Sequence, residues 1–521
     1  MNERKEDNHA NRFAAILLIA IAVNLGFYCL PDSVLGIPVK KVDLLSDIRV
    51  RSKEVGTLLT NGHAPLSEKG TLKAEESEDE SKDESKDEQI DAGMDNDVSA
   101  AKSTSNVTPQ TTDSIKPKTV AFDRTIPDIA NTQIEDFTAE HTGLHRFFTA
   151  LDNIDELDRP VRIAFVGDSF IEGDILVADF RARMQAHFGG RGVGFLPITS
   201  VVAQYRPTIK QSANGWKSYS IINNRSKKHV ISGVQFEPSS SNATFKFEMV
   251  DFRPGLDEVS SLKVIYANNE ETEFTLKNED ETLTYELPPS HVMTQFELTG
   301  QFKNGTLYFK NAKGLSALGV ALEDNHGICV DNFALRGNSG IVMSALDGES
   351  CRQLQQIRPY DLIILQYGLN VASDSVKDYS WYRSQMIPVV THIQQCFPGA
   401  DILLLGVSDR SRNFEGSYST MPAVVALLRA QRQIAQSTEV NFWSIFAAMG
   451  GENGMVNYVK RNWASKDYTH LNFQGGREIA NVLFDALLAK KGMFDNHEKY
   501  DNAETHDNNE TNETNETLDE Q

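Results

Sequence analysis

Apolar positions along the chain fall into distinct textures. Residues 13–30 form an almost unbroken apolar run, interrupted mainly by Asn24 and Gly26, and apolar residues then become sparse until about residue 135. Beyond that point, short solid apolar runs at 161–166, 328–330, 361–368 and 401–407 read as buried strands. Between and around them lie segments of helical period. Residues 145–151 predict one helix. Residues 174–188 predict another, with Ile175, Val177, Ala178, Phe180, Met184 and Phe188 on one face and Gly189-Gly190 as its stop. Residues 381–397 and 421–437 predict two more. Strands alternating with helices predict an α/β fold: a three-layer, doubly wound, flavodoxin-like parallel sheet. A different pattern interrupts it from about 201 to 324. Short alternating stretches at 244–250, 261–267, 273–277, 283–287, 294–299 and 306–310 are separated by turn residues and predict an inserted all-β sandwich or jelly roll.

Charge adds the flanks. The formal net charge is -22, and residues 75–97 and 495–521 carry -10 and -9 of it. The acidity therefore belongs to tails, and the remainder lacks the basic stripe that a nucleic-acid partner requires. The expected organisation is a short leader at 1–12, a transmembrane signal anchor at 13–30 and a disordered acidic tether at 31–135. A folded domain comes next at 136–200 plus 325–494, with the β-module at 201–324 inserted, and a disordered acidic tail closes the chain at 495–521. The anchor run is near the lower limit for spanning a bilayer and long for a cleaved signal core, with no small-x-small site after it. Its flanking lysines and arginines set no orientation. A single anchor after a short charged leader favours export of the downstream chain, which places the domain in the periplasm or otherwise outside the cytoplasm. The tail triplets at Asn509, Asn512 and Asn515 match a glycosylation sequon, relevant only where a host glycosylates them.

The chemistry starts at Phe165-Val166-Gly167-Asp168-Ser169-Phe170. A serine on a tight turn at the C-terminal edge of a buried strand faces the crevice where open α/β sheets bind ligands. Far downstream, Asp467-Tyr468-Thr469-His470 supplies a base and, three residues before it, a carboxylate to orient it. Ser169, His470 and Asp467 thus point to a serine hydrolase.

Two further blocks lie at loops after strands: Gly337-Asn338-Ser339-Gly340 and Gly368-Leu369-Asn370. In this order the four blocks resemble the SGNH/GDSL hydrolases, over roughly residues 140–200 and 325–490. The resemblance implies Ser169 as nucleophile, His470 as general base, Asp467 as its orienter, and an oxyanion hole made of the Ser169 and Gly337 amides with the Asn370 side chain. Gly340 is the alternative oxyanion glycine. Phe170 after the serine and Val371 after the asparagine depart from the common pattern and bear on specificity. Together with the inserted β-module, Gly189-Gly190-Arg191-Gly192-Val193-Gly194-Phe195 and Ser408-Asp409-Arg410 extend the likeness to bacterial peptidoglycan O-acetylesterases, whose inserted module resembles a carbohydrate-binding sandwich. That resemblance implies an acetylated cell-envelope glycan as substrate, with the membrane as the other partner. An envelope O-acetyltransferase using the same triad and an inactive glycan-binding scaffold are the rival readings.

The remaining candidates carry less. Asp409-Arg410 either lines the site or forms a surface pair. Trp216 and Tyr219 either stack on sugar rings or belong to a core. His187, His291 and His326 show no metal spacing, and neither metal nor cofactor is expected. Of the cysteines, Cys29 lies in the apolar run, and Cys329, Cys351 and Cys396 have no ligand spacing. A Cys329–Cys351 disulfide is open to a domain outside the cytoplasm.

Overall fold

The computed structural model describes residues 132–268, 270–279 and 281–516, with side chains through residue 496, together with the paired two-residue strands Ser33–Val34 and Ile37–Pro38 in the separate unit Met1–Gln110. The expected anchor at 13–30 and nearly all of the tether lie outside the described residues. Among the described residues no helix is long and apolar enough to cross a membrane.

The central sheet is built from β1 (Glu135–Asp136), β2 (Val161–Gly167), β3 (Ile328–Ala334), β4 (Leu362–Gln366), β5 (Asp401–Gly406) and β6 (Asn441–Ser444). Its spatial order is β3-β2-β4-β5-β6-β1. The five longer strands run parallel, and β1 closes the edge antiparallel to β6. Alternate residues of each strand feed different cores. Ala164, Val166, Ile363, Leu365 and Leu404 pack with helices α3 (Gly348–Ile357), α4 (Ser380–Cys396) and α5 (Pro422–Thr438). Ile163, Phe165, Leu362, Ile364 and Leu403 pack instead with α1 (His145–Asp152), α2 (Val177–Phe188) and α6 (Phe473–Glu516). A period-2 strand buried on both faces must be apolar throughout, as these runs are.

The chain leaves β2, passes through α2 and the β-rich region, returns as β3 on one side, and then crosses back to β4 on the other. The order therefore reverses between β2 and β4, the position where parallel α/β sheets open a ligand crevice at the strands' C-terminal ends.

The β-rich region forms two antiparallel sheets facing one another across a core that includes Phe236, Phe245, Phe247, Phe274, Leu307 and Phe309. The six predicted strands are present, at Asn242–Met249, Val259–Asn268, Thr272–Lys277, Thr282–Leu287, Ser290–Phe302 and Asn304–Lys310. The module begins earlier than expected. Gly192–Pro197 pairs with Leu315–Glu323, so the strand after α2 belongs to the sandwich. Trp216 is structural, donating Nε1–H to Thr244 O at 2.9 Å and lying edge-on to Phe309. Tyr219 sits under the Lys217 and Lys227 ammonium groups.

A buried ionic cluster joins the sandwich to the sheet. Arg358, just after α3, binds Glu323 at 2.6 Å and Asp331 at 2.8 Å. Arg162 of β2 and Lys263 of the sandwich also reach Glu323, at 2.7 and 3.0 Å, and Tyr360 donates to Asp331. Burial opposes ionisation of both carboxyls, but the surrounding cations hold them below the ordinary carboxylate range. Cys329 lies in the same cluster, its thiol donating to Glu323 at 3.1 Å, and burial pushes that thiol up. The proposed Cys329–Cys351 pairing is thereby corrected. Cys351 has Cys396 as its hydrogen-bond partner, and all three thiols are free.

The final helix runs on to Glu516, through a tail whose composition predicts disorder. Its first half is docked against α2, and extending a helix already nucleated costs far less than starting one.

Removing one carboxylate from the junction tests its role. Glu323→Ala leaves three cations short of a buried partner and should cost about 3–5 kcal/mol, read from urea denaturation. A loss below about 1 kcal/mol would contradict the assignment.

Candidate active site

Gly167 ends β2 where any Cβ would meet Gln366 O at 2.7 Å, so a glycine is needed for β4 to lie this close. Asp168 is buried, and its Oδ1 accepts from Phe170 N at 2.9 Å, fixing the turn that carries half-buried Ser169. The turn is anchored from behind by Asp174. This buried carboxylate accepts from Arg181, Arg206, Thr208 and Asn332, and the two arginines hold its carboxyl well below the usual range despite burial.

The second block follows β3. Gly337 has φ +72° and open space around it. Gly340, at φ +93°, is packed so closely on Tyr367 and Met386 that a Cβ would lie 2.9–3.0 Å from them. Gly340 N–H is taken by Asn338 Oδ1 at 2.8 Å. Among the described residues, the N–H groups of Ser169 and Gly337 carry no hydrogen bond. Arg336–Glu172, at 2.5 Å, ties this loop to the serine turn.

Asn370 lies in the one-turn helix Leu369–Val371 after β4. Its Nδ2 donates to Asp168 Oδ2 at 2.9 Å and to Asn338 O at 3.0 Å, so it links the serine turn to the glycine loop. Both N–H groups are thereby engaged, and Asn370 can serve an oxyanion only by sharing one of them.

The fourth block is a self-closed loop. Asp467 Oδ2 lies 2.6 Å from His470 Nδ1, and its Oδ1 accepts from the backbone of Thr469 and His470 at 2.9 and 3.0 Å. Partial burial opposes it, yet these hydrogen bonds hold the Asp467 carboxyl below its ordinary value. With Nδ1 given to a carboxylate, Nε2 is the nitrogen left to accept a proton. Tyr468 pays for the tight loop with φ +55°.

Helix packing sets which end of the helix pair this loop occupies. The first turn of α6 touches the segment just before α2, where a Cβ on Gly476 would be 2.0 Å from Ile175 O. Asp179–Arg477 at 3.1 Å and Arg183–Asn481 at 3.2 Å then form rungs four residues apart on both helices, so the pair is parallel and in register. The loops entering the two helices therefore emerge at the same end. His470 also exerts a Coulombic pull on the Asp168 carboxylate, next to Ser169. Among the described residues no hydrogen bond joins the Ser169 hydroxyl to His470. Such bonds are often long before substrate is bound. The His470 and Asp467 side chains are 55% and 48% exposed, so the site is an open crevice rather than a buried tunnel.

Sequence reasoning missed one wall of this crevice. The hairpin Ser411–Phe414/Ser417–Thr420 is pinned to the histidine loop by Ser411 N–H to Tyr468 O at 3.1 Å and by Tyr418 stacked on Tyr468 at 3.7 Å. Its Arg412 pairs with Asp374, beyond Asn370. Asp409 is neither a site residue nor a surface residue. It is fully buried, binding Met455 N at 2.8 Å and Ser411 Oγ at 3.3 Å at the hairpin base. Glycine, aromatic and charged residues between 410 and 420 were the available signal, but no periodicity marks so short a hairpin.

No family model matches the chain, and no curated protein matches it. Among solved structures, a peptidoglycan O-acetylesterase is similar with a TM-score of 0.57 and 21% identity, covering 69% of this chain and 99% of that one. A family two carbohydrate esterase from Cellvibrio japonicus gives a TM-score of 0.23 and 11% identity over 55% of this chain and 99% of that one. An acetyl xylan esterase gives 0.23 and 14% over 30% and 81%. The first of these likenesses is a likeness of fold alone.

The Asp168 carboxyl supplies a pH test. Burial raises it from 3.8 to about 6 against the opposing hydrogen bonds from Phe170 and Asn370. Between those values the folded chain holds a proton that the unfolded chain has lost, so this group makes stability fall as pH rises from about 4 to about 6. Asp168→Asn removes that slope. Its stability relative to wild type, from urea midpoints, should be lowest near pH 4 and rise through pH 6, and parallel profiles for the two proteins would contradict the assignment.

Proposed function

We propose that the chain is a serine esterase that removes O-acetyl groups from a cell-envelope polysaccharide, peptidoglycan first among the candidates. The observation that carries this reading is the Asp467–His470 pair with Nε2 unclaimed, on a loop at the same end of the α2–α6 helix pair as the turn of Ser169, with the N–H groups of Ser169 and Gly337 unpartnered among the described residues. Ser169 Oγ attacks the acetyl carbonyl as His470 Nε2 takes its proton. The carbonyl oxygen becomes an oxyanion bound by Ser169 N–H and Gly337 N–H, with a shared Asn370 N–H as third donor. Gly340 is disfavoured in this role because its N–H is already given to Asn338. The imidazolium returns the proton to the departing sugar oxygen. Water, deprotonated by His470, then releases acetate from acetyl-Ser169.

The choice of substrate is supported by the exposed dyad, which a polymer can reach, and by the likeness to a peptidoglycan O-acetylesterase. The two cores flanking the parallel sheet support the doubly wound, three-layer layout, with the sandwich as an inserted module. The apolar run at 13–30 followed by an acidic tether supports a membrane anchor, with the catalytic domain held outside the cytoplasm.

Acetate release from purified acetylated peptidoglycan tests the proposal. The full chain should release acetate, Ser169→Ala should fall by at least ~10³-fold, and Asn370→Ala by roughly 10²-fold in kcat. Equal release by wild type and Ser169→Ala would overturn it. Acetylated glycan formed from an acetyl donor, with no net hydrolysis, would replace the esterase with a transferase.

A further inference from the structure

The hairpin Ser411–Phe414/Ser417–Thr420 takes no part in the chemistry above, yet it is built as a rigid arm against the histidine loop. Its strands are joined by Glu415 and Gly416, at φ +51° and +91°, a two-residue turn whose twist suits antiparallel strands. Its base is fixed on both strands. Asp409 accepts from Ser411 Oγ and Met455 N, and Thr420 exchanges hydrogen bonds of 2.7 and 3.3 Å with Asn453. Alternate residues reach different blocks of the site. Arg412 pairs with Asp374, four residues beyond Asn370, and covers the Phe414 ring. Tyr418 stacks on Tyr468, which lies between Asp467 and His470 in the chain, with ring centroids 3.7 Å apart and planes 8° from parallel. The hairpin therefore spans from the loop after Asn370 to the histidine loop.

Tyr418 is 40% exposed although Tyr468 covers one face of its ring, so the other face is turned to solvent. Asn413 stands directly opposite Tyr418 in the strand register and shares its side of the hairpin. Its Oδ1 accepts from Gly416 N at 2.8 Å, and among the described residues its Nδ2 has no partner. An open aromatic face beside a free amide donor suits a sugar ring. The electron-rich face meets the C–H side of a pyranose, and the amide N–H meets a hydroxyl. On an arm already rigid, binding costs little ordering entropy.

We propose that Tyr418 and Asn413 form a subsite for a sugar ring next to the acetylated one, so that the hairpin holds a glycan chain along the crevice. The proposal rests on the esterase reading and deepens it: the substrate is a carbohydrate polymer, gripped beyond the residue that carries the ester. Trp216 of the β-module, committed to Thr244 and Phe309, has no such open role. A small ester such as p-nitrophenyl acetate has no second ring to place on Tyr418. The subsite therefore acts on the discrimination between polymer and small ester.

The test compares acetate release from purified O-acetylated peptidoglycan, at limiting substrate, with hydrolysis of p-nitrophenyl acetate, using the full chain and taking the ratio of the two kcat/KM values. Tyr418→Ala should lower that ratio at least ~10-fold, through the lost stacking and burial. Asn413→Asp keeps the oxygen that closes the turn but loses the donor, and should lower it at least ~3-fold. Tyr418→Phe keeps the ring and should stay within about two-fold of wild type. An unchanged ratio in either Tyr418→Ala or Asn413→Asp overturns the proposal; equal losses on both substrates would assign Tyr418 to holding the histidine loop instead. Should Tyr418→Ala not fold, Asn413→Asp decides. The esterase reading fails separately, if Ser169→Ala turns over both substrates as wild type does. Co-sedimentation with insoluble peptidoglycan then decides: in a Ser169→Ala background, Tyr418→Ala should weaken binding at least ~10-fold, and unchanged binding overturns the subsite.

Discussion

The close parallel packing of α6 on α2 is the constraint on which the site depends. Two residues separate His470 from the start of α6, and that helix is seated where Gly476 lets it touch the carbonyl of Ile175. Asp179–Arg477 and Arg183–Asn481 then lock the axial register. A slip of one turn would move the histidine loop by about 5 Å, more than a hydrogen bond's reach. A loop some three hundred residues beyond Ser169 in the chain is thus held at the same end of the helix pair as the serine turn by one glycine-permitted contact and two polar rungs. Asp467 fixes the imidazole within its loop, and helix register fixes the loop.

Around this axis the polar interior divides into two devices. Asp174, Arg181, Arg206 and Asn332 hold the back of the serine turn, and Arg358, Glu323, Asp331 and Arg162 hold the sandwich to the sheet. Buried ion clusters of this kind are weak sources of net stability compared with apolar packing, but they are costly to break and they specify one geometry. Along the chain the sandwich lies between α2 and the glycine-loop strand β3, so its attachment bears on where β3 starts and thus on where Gly337 is presented. Asn370 completes the frame by bonding both Asp168 and Asn338, which makes it a strut between the serine turn and the glycine loop.

Much of this was legible in the residues. The solid apolar runs that became β2, β4 and β5 could only be buried parallel strands, and helices α1, α4 and α5 fall within a residue or two of their periodic segments. The helix predicted from residue 174 instead begins at Val177, because Asp174 is a buried anchor at φ +67° rather than a helical position. β6 was missed because four residues carry no period. Leu315–Glu323 was missed because a strand buried on both faces, rich in Ala and Leu, does not alternate. Gly475-Gly476 was the unread clue in the last helix: two glycines in a first turn weaken a helix unless a close contact requires them. The four blocks were visible as motifs. What joins them is tertiary register and the commitments of individual N–H groups, and neither has a signature along the chain.

A crystal structure of the chain after reaction with a fluorophosphonate tests the central claim most directly. The account predicts phosphonylated Ser169, with the phosphonyl oxygen about 2.7–3.1 Å from the N–H groups of Ser169 and Gly337 and the His470 imidazole facing the Ser169 oxygen. An unlabelled Ser169, or an adduct whose oxygen points away from both amides with His470 out of reach, would contradict it.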